Sequence, residues 1–335
     1  AKIFTAMIRL SKKSSLYPSC LAMKDVQKIG DYPITAGGFG EIWRCSIGGQ
    51  IGCLKMVKVY GESDIQILLK EFLKEAILWR QLDHPNVLPF LGLYFLNDHK
   101  QRLCLISPWM ENGNVKQYLN KPSDKPVDRV VLAYDVANGL AYLHKKKVIH
   151  GDLKGVNILV TISGRALVCD FGLSRVADSE ALRWTSLSTG NRGGGTLRWL
   201  APECLIDAKP VTYESDVYAF GCVCYEIFTG LIPFQEMSTD ATIIFQLIKE
   251  KRPPRPQGNI QLTDAIWHVI EQCWDQTPSM RPVARDLPHV LESATGRSIG
   301  LANRWKDPLC SQLWQNVKHP HLCPSGSDIE KFLFG

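Results

Sequence analysis

HGDLKGVN at residues 150–157 and DFG at residues 170–172 are the two stretches that decide the fold of this chain. Between them, Ile158–Val160 and Ala166–Val168 are short apolar runs separated by turn-forming residues. Such a pair of runs predicts a hairpin, which returns Asp170 to the neighbourhood of the first stretch. The two stretches together therefore place two carboxylates, a carboxamide and a lysine around one small volume.

These side chains form the set that phosphoryl transfer from a magnesium-bound nucleotide requires. The reaction needs a base that orients a hydroxyl, oxygen ligands for the metal, and a cation for the transferring phosphate. On this chemistry Asp152 is the candidate base and Lys154 the candidate cation. Asn157 and Asp170 are the candidate metal ligands.

A glycine-rich segment, TAGGFGEI at residues 35–42, lies between two predicted strands nearer the N-terminus. Glycines let backbone N–H groups approach phosphates closely, although any glycine-rich hairpin has the same composition. Lys55 follows in strand-like sequence, and residues 64–82 have the three- and four-residue apolar spacing of a helix. Glu75 lies on that helical stretch, where a carboxylate is available to position a phosphate-binding lysine.

The same patterns predict further elements along the chain. Gly48-Gly49 breaks the strand-like sequence before Lys55, and strand character returns over Leu88–Phe95. In the second half of the chain, Asn114 is a candidate helix cap and Val127–His144 is a predicted helix.

In this order the motifs resemble the eukaryotic protein kinase domain, over about residues 25–292. GTLRWLAPE at residues 195–203 resembles the end of a kinase activation segment. Cys273-Trp274, followed by Pro278 and Arg281-Pro282, resembles the ending found in the tyrosine-kinase-like group of serine/threonine kinases. Small-molecule phosphotransferases of the aminoglycoside type share His-Gly-Asp but lack these two downstream motifs, which therefore favour a kinase of protein substrates.

The resemblance implies an α+β fold with two lobes and a cleft between them. We expect a β-rich N-lobe with one main helix and a larger, mostly helical C-lobe. The expected segments are a leader at 1–24, the kinase domain at 25–292 (N-lobe 25–107, hinge 108–113, C-lobe 114–292) and a tail at 293–335.

The resemblance also assigns site residues. Those implied for catalysis are Asp152, Lys154, Asn157, Asp170, Lys55, Glu75 and Thr196, with Mg²⁺ held by Asn157 and Asp170. Those implied for binding ATP are Ile34, Gly37, Gly38, Phe39, Gly40, Ile42, Cys53, Lys55, Ser107, Trp109, Met110, Leu159 and Asp170. Ser107 corresponds to the gatekeeper. Lys55 is preferred over Lys58 because Cys53 then takes the place of the small residue against adenine.

Structural roles follow from the same resemblance. Asp216 corresponds to a buried anchor, and Arg281 is expected to pair with Glu203. A hydrophobic stack of Phe90, Trp79, Phe171 and His150 is expected to rest on Asp216, which makes His150 a satisfied core histidine. Gly151 stands where the family has an arginine that meets a phosphate on the activation loop, so we expect no switching by a phosphate bound there.

The implied function is transfer of the γ-phosphoryl group of ATP, with Mg²⁺, to Ser or Thr hydroxyls of protein substrates in intracellular signalling. Lys154 favours Ser/Thr over Tyr as the acceptor. The alternative is a pseudokinase or scaffold that binds nucleotide or partners without catalysis. Thr35, in place of the first loop glycine, and Gly151 are the two departures that favour this alternative.

Composition limits the other function classes. The 335 residues are 45% hydrophobic and 21% charged, with a net charge of +6, which gives no reason to expect a nucleic-acid partner. No stretch reads as a membrane span or a secretory signal, and the eleven scattered cysteines indicate reduced thiols. We therefore expect a cytoplasmic monomer. Cys310, His319, His321 and Cys323 are metal-ligand types without a standard zinc spacing, which favours coincidence.

Overall fold

The computed structural model describes residues 21–37, 40–56, 76, 79–96, 102–122, 126–170, 175–176, 196–258 and 261–300. These residues divide into two compact units. The first contains the described residues up to Asp83 together with Pro89–Trp109, and the second contains His84–Leu88 and the described residues from Met110 onward. The first is rich in strands and the second in helices, which confirms the predicted α+β fold with two lobes.

The first unit is built on a six-stranded antiparallel sheet with the strand order β1-β3-β4-β6-β5, and with β2 paired to β3. Its strands are β1 (Val26–Ile29), β2 (Thr35–Gly37), β3 (Gly40–Ile47), β4 (Gln50–Met56), β5 (Gly92–Phe95) and β6 (Leu103–Pro108).

Strand β4 shows how side-chain alternation divides this sheet into two faces. Leu54 and Met56 are buried and belong to a core cluster that includes Trp43 of β3. Cys53 and Lys55 alternate with them and lie on the opposite face, where they are partly exposed. Successive residues of a strand point to opposite faces, so one strand supplies both the core and an accessible surface.

A two-residue turn joins β3 to β4 where the sequence predicted a break at two glycines. Ile47 pairs with Gln50, and Gly48 and Gly49 between them have φ values of 55° and 82°. Positive φ at both central residues is the geometry of a type I′ hairpin turn, which glycine adopts without a steric penalty.

The prediction of one strand over Leu88–Phe95 is wrong in its first half, because β5 begins only at Gly92. The N–H of Leu88 donates to the carbonyl of Val168 at 2.9 Å, within the second unit. The backbone there already has a hydrogen-bond partner outside the sheet, so the apolar run does not extend the ladder of β5.

The second unit is mainly helical, with short strands. Its helices are α1 (Val115–Leu119), α2 (Arg129–Lys145), α3 (Pro202–Leu205), α4 (Tyr213–Thr229), α5 (Asp240–Ile248), α6 (Asp264–Cys273) and α7 (Leu287–Thr295). Its strands are β7 (Val148–Ile149), β8 (Ile158–Val160), β9 (Ala166–Val168) and β10 (Arg175–Val176). Strand β8 pairs antiparallel with β9, as predicted, and β10 pairs with β7.

Polar side chains cap the N-termini of the main helices of this unit. Asn114 forms a capping box at the start of α1, as the sequence suggested. Asp128 caps α2, so this helix begins at Arg129 rather than at the predicted Val127. Thr212 forms a second capping box with Ser215 at the start of α4. Each cap satisfies backbone N–H groups that have no partner within the first helical turn.

Helix α4 is the central element of the second unit, because fourteen of its seventeen residues are buried. The apolar run that begins at Val217 belongs to this helix. Two carboxylates, Asp216 and Glu226, are buried on it. A buried carboxylate needs hydrogen-bond donors around it, so both residues mark positions where other segments are held to α4.

The predicted pairing of Arg281 with Glu203 is confirmed. Arg281 Nη1 lies 2.7 Å from Glu203 Oε1, and Arg281 Nη2 lies 2.8 Å from Glu203 Oε2. Both side chains are buried. A buried, bidentate ion pair of this kind holds the segment around Glu203 to the segment around Arg281.

Two further observations concern the cysteines and the helices. Each of the eight cysteines that the structure describes is free. In the described ranges, no helix has both the length and the apolar character needed to cross a bilayer.

Candidate active site

The 150–157 loop, which follows β7 and ends in the 3-10 turn Gly155–Asn157, brings three of the predicted catalytic residues together. Lys154 Nζ lies 3.0 Å from Oδ1 and 2.7 Å from Oδ2 of Asp152. Asn157 Nδ2 donates to the backbone carbonyl of Asp152 at 2.8 Å and to its Oδ2 at 3.1 Å. The Asp152 carboxylate is therefore held by an ammonium and a carboxamide.

The orientation of the Asn157 side chain follows from these contacts. Its nitrogen faces the backbone carbonyl oxygen and the Oδ2 atom of Asp152. The carboxamide oxygen of Asn157 is therefore the atom that can act as a metal ligand. Cys169, next to Asp170, donates its N–H to the backbone carbonyl of Asn157 at 2.9 Å. The β8–β9 hairpin thereby returns Asp170 to the end of the loop, as the sequence predicted.

Asp170 has a left-handed backbone, with φ of 63°. This conformation is less favourable for most residues with a side chain, although aspartate adopts it more readily than most. Residues in such conformations cluster at functional sites. Asp170 is also partly exposed, unlike the buried Val168 and Cys169 before it.

The donor set fits magnesium bound together with a nucleotide. Mg²⁺ takes hard oxygen ligands and is usually held by one or two protein groups, with substrate phosphates completing its coordination. Asp170 offers a carboxylate and Asn157 a carboxamide oxygen. Among the described residues, no group of three or more His, Cys, Asp or Glu side chains forms a metal cage of its own.

Asp216 holds the beginning of the loop. Its Oδ2 accepts the N–H of His150 at 2.8 Å, and its Oδ1 accepts the N–H of Gly151 at 2.8 Å. His144 Nε2 lies 2.9 Å from Oδ2. Both ring nitrogens of the buried His150 are also engaged, by the carbonyl of Cys169 and the N–H of Asp152. His150 is thus a satisfied core histidine, and the predicted anchoring by Asp216 is confirmed.

Glu226 holds the end of the loop, and sequence reasoning missed this role. Its Oε1 accepts the N–H of Gly155 at 2.8 Å and the indole Nε1–H of Trp199 at 2.5 Å. Burial raises the pKa of the Glu226 carboxyl to about 7, against the lowering effect of these two hydrogen bonds. The available signal was the position of Glu226 within the apolar run that begins at Val217, since a carboxylate in such a run needs dedicated donors.

Four of the predicted nucleotide-binding residues share one face of the sheet in the first unit. Ile42 of β3 pairs with Lys55 of β4, and Cys53 of β4 pairs with Ser107 of β6. Cross-strand partners point to the same face, and this is the partly exposed face of β4. Burial raises the pKa of the Cys53 thiol to about 11, so this cysteine is a neutral, apolar surface beside Lys55.

The remaining described candidates are placed as follows. Ile34 is exposed, and its N–H donates to the carbonyl of Ile42 at 2.8 Å. Gly37 pairs with Gly40, which has φ of 152°. The guanidinium of Arg44 lies 4.7 Å from the ring centroid of Trp109.

In the second unit, the carbonyl of Met110 accepts the N–H of Gly113 at 3.0 Å. Leu159 lies on β8 and bridges Asn114. Thr196 begins the 3-10 turn Thr196–Trp199.

Several predicted residues lie outside the described residues: Gly38, Phe39, Lys58, Glu75, Phe171 and the four metal-ligand types of the tail. Of the predicted stack, Trp79 and Phe90 are in contact in the first unit, with ring centroids 5.2 Å apart.

Known proteins are similar to this chain over most of its length. Residues 30–291 match the family described as protein tyrosine and serine/threonine kinase. Serine/threonine/tyrosine-protein kinase HT1 of Arabidopsis thaliana is 34% identical over 262 residues, covering 77% of this chain and 64% of the relative. Serine/threonine-protein kinase STY17 of Arabidopsis thaliana is 29% identical over 279 residues, covering 82% of this chain and 45% of the relative.

A third relative, serine/threonine-protein kinase CTR1 of Arabidopsis thaliana, is 31% identical over 278 residues, covering 81% of this chain and 32% of the relative. The chain thus spans less than two thirds of the length of each of these relatives. The family match covers both the strand-rich and the helical unit, and it confirms the resemblance drawn from the motifs. The chain belongs to the protein tyrosine and serine/threonine kinase family.

Proposed function

We propose that this chain is a protein serine/threonine kinase that transfers the γ-phosphoryl group of ATP, with Mg²⁺, to hydroxyls of protein substrates in intracellular signalling. The activity is assigned to residues 25–292. The observation that carries the proposal is the Asp152 carboxylate, held by Lys154 and Asn157 within hydrogen-bond distance. The names of the three relatives support the same reaction class.

The chemistry assigns distinct tasks to these residues. Asp152 accepts the proton of the attacking hydroxyl, and its contacts keep the carboxylate oriented for that transfer. Lys154 lies beside Asp152 and can neutralise charge that develops on the transferred phosphate. Asn157 and Asp170 supply the oxygens for magnesium. When bound, Mg²⁺ offsets the negative charge of the nucleotide phosphates.

Most of the nucleotide-binding residues of this proposal belong to the first unit, while Met110 and Leu159 belong to the second. Lys55 binds the α- and β-phosphates, and Glu75 positions it. The backbone from Pro108 to Met110 binds the adenine edge. The residues that sandwich the adenine ring are Ile34, Ile42, Cys53 and Leu159. The sharing of one sheet face by Ile42, Cys53 and Lys55 supports this assignment.

Two further parts of the proposal concern setting and control. The eight cysteines within the described ranges are free, which favours a reducing compartment, so we place the activity in the cytoplasm. We take the active form to be a monomer. Gly151 has no side chain that can meet a phosphate, so activation does not depend on a phosphate read at this position.

The test is phosphorylation of a generic basic protein by the purified chain with Mg-ATP, followed by identification of the phosphorylated residue type. We expect phosphoserine and phosphothreonine, and a loss of roughly a thousandfold or more in kcat for Asp152→Asn. Asp264→Asn is the matched control, because Asp264 is 95% exposed at the start of α6. It should keep the wild-type rate.

The competing function is a scaffold that binds nucleotide without transferring phosphate. Nucleotide binding by the wild-type protein, with no phosphate transferred above the level of Asp152→Asn, would establish the scaffold and overturn the kinase. No relative named above carries a scaffold description, and Asp152 is hydrogen-bonded to Lys154 and Asn157.

A further inference from the structure

We propose that Glu226 is a positioning residue for phosphoryl transfer, which ties the 150–157 loop to the Thr196–Trp199 turn through one carboxylate. The inference rests on the proposed kinase function and adds to it a residue that touches neither phosphate nor metal. It acts through Gly155 and Trp199, which the sequence motifs did not single out.

The geometry links two segments that are remote in sequence. Glu226 is 6% exposed, and its Oε1 accepts both the Gly155 N–H and the Trp199 indole N–H. Gly155 directly follows Lys154 and lies two residues before Asn157. A displacement of the Gly155 backbone therefore moves the two side chains that hold Asp152.

The Glu226 carboxylate lies close to the Cα atom of Gly155 as well as to its N–H group. A Cβ atom added to Gly155 would lie 2.5 Å from Oε2 and 2.8 Å from Cδ of Glu226. No side chain fits at these distances, so glycine is required at position 155 while the carboxylate stays in place. The backbone N–H and the absent side chain of Gly155 are thus both matched to Glu226.

The charges around Glu226 make a buried carboxylate workable. The positive charges of Lys116 on α1 and Lys154 in the loop both favour the ionised form of Glu226. The negative charge of Glu226 in turn helps to raise the pKa of the Cys222 thiol, one turn earlier on α4. Lys154 also contacts Asp152. A carboxylate at position 226 is therefore coupled to the catalytic side chains by charge as well as by the loop backbone.

The first test compares single variants in the phosphorylation assay. Glu226→Ala and Trp199→Phe should each lower kcat, by roughly ten- to a hundredfold for Glu226→Ala and less for Trp199→Phe, with little change in the KM for ATP. Trp267→Phe is the matched control, because the Trp267 indole donates to the exposed Glu271 carboxylate at 2.7 Å on α6. It should leave kcat unchanged.

The second test separates positioning from general stability. Gly155→Ala should lower kcat in the wild-type background, and it should have little additional effect when combined with Glu226→Ala, because the clash partner is then gone. Gly300→Ala, at a glycine with open space around it, is the control. Glu226→Gln keeps an acceptor oxygen and should retain more activity than Glu226→Ala, with a flatter pH dependence of kcat around pH 7.

The outcomes separate the two proposals. An inactive wild-type protein overturns the kinase assignment and this inference with it. An active wild-type protein in which Glu226→Gln and Trp199→Phe both match Trp267→Phe overturns the inference alone. Additive losses for Gly155→Ala and Glu226→Ala overturn it as well, and this holds even if Glu226→Ala is less stable than the wild type.

Discussion

Asp216 and Glu226 are two buried carboxylates on helix α4 that hold opposite ends of the same loop by different means. Asp216 uses both oxygens, accepting the N–H groups of His150 and Gly151, and has His144 as a third partner. Glu226 receives both of its donors on one oxygen, and burial raises its pKa to about 7. The Asp216 end is therefore held by a fuller set of donors than the Glu226 end.

The largest expected effect is the loss of the Asp216 carboxylate. Asp216→Ala leaves the N–H groups of His150 and Gly151, and the His144 ring, without their acceptor, so we expect the free energy of unfolding to fall by about 3–5 kcal/mol. Glu226→Ala removes an acceptor of two donors and also relieves a buried charge, so about 1–3 kcal/mol is expected. Urea unfolding at pH 7 measures both. Equal costs would contradict the comparison.

The pH dependence of the free energy of unfolding should reveal the raised pKa of Glu226. A carboxyl whose pKa is raised on folding stabilises the protein fully below its unfolded pKa, and this contribution is lost as pH rises through the folded pKa. For Glu226 the window runs from 4.5 to about 7. The wild type should lose up to about 3 kcal/mol relative to Glu226→Gln across this window.

Unfolding curves of the two proteins at pH 5, 6, 7 and 8 provide the measurement. The difference between them should grow with pH and level off above about pH 7. A difference that stays constant, or shrinks as pH rises, shows that Glu226 titrates normally.

The two loop glycines should respond differently to alanine. Gly151 has φ of 76°, a left-handed conformation, so Gly151→Ala should cost about 1–2 kcal/mol whatever residue occupies position 226. Gly151→Asn should cost roughly half as much, because asparagine tolerates this conformation better. The cost of Gly155→Ala, measured in the same unfolding assay, should instead depend on the presence of Glu226. If both glycines respond alike in the two backgrounds, crowding at Gly155 is not the cause.

The smallest effect is expected at the cap of the shared helix. Thr212 accepts the N–H of Ser215 and begins α4, so Thr212→Ala should cost about 1 kcal/mol or less. The cap lies on the helix and touches neither loop end, so kcat should change little. A loss of kcat comparable to that of Glu226→Ala would mean that helix stability, rather than the carboxylate, controls the loop.

The sequence predicts local elements of this fold well where short-range physics decides them. The β8–β9 hairpin has its predicted limits, and Asn114 caps α1 as expected, because turns and caps depend on a few neighbouring residues. The motifs also predicted the contacts of Asp216 and Arg281, through resemblance to a family. The strand predicted from Leu88 was wrong because its first residue hydrogen-bonds to Val168, far along the chain.

The sequence likewise predicted only part of the candidate site. The residue types and spacing of HGDLKGVN and DFG determined which groups carry the chemistry, since phosphoryl transfer demands a base, a cation and oxygen ligands. The sequence did not show that Glu226 joins Gly155 to Trp199, because no local pattern connects an apolar helix to a loop seventy-one residues earlier. Only the packing of α4 against the loop brings these donors to one oxygen. Burial at that point, which is a tertiary property, determines both the raised pKa and the need for glycine at position 155.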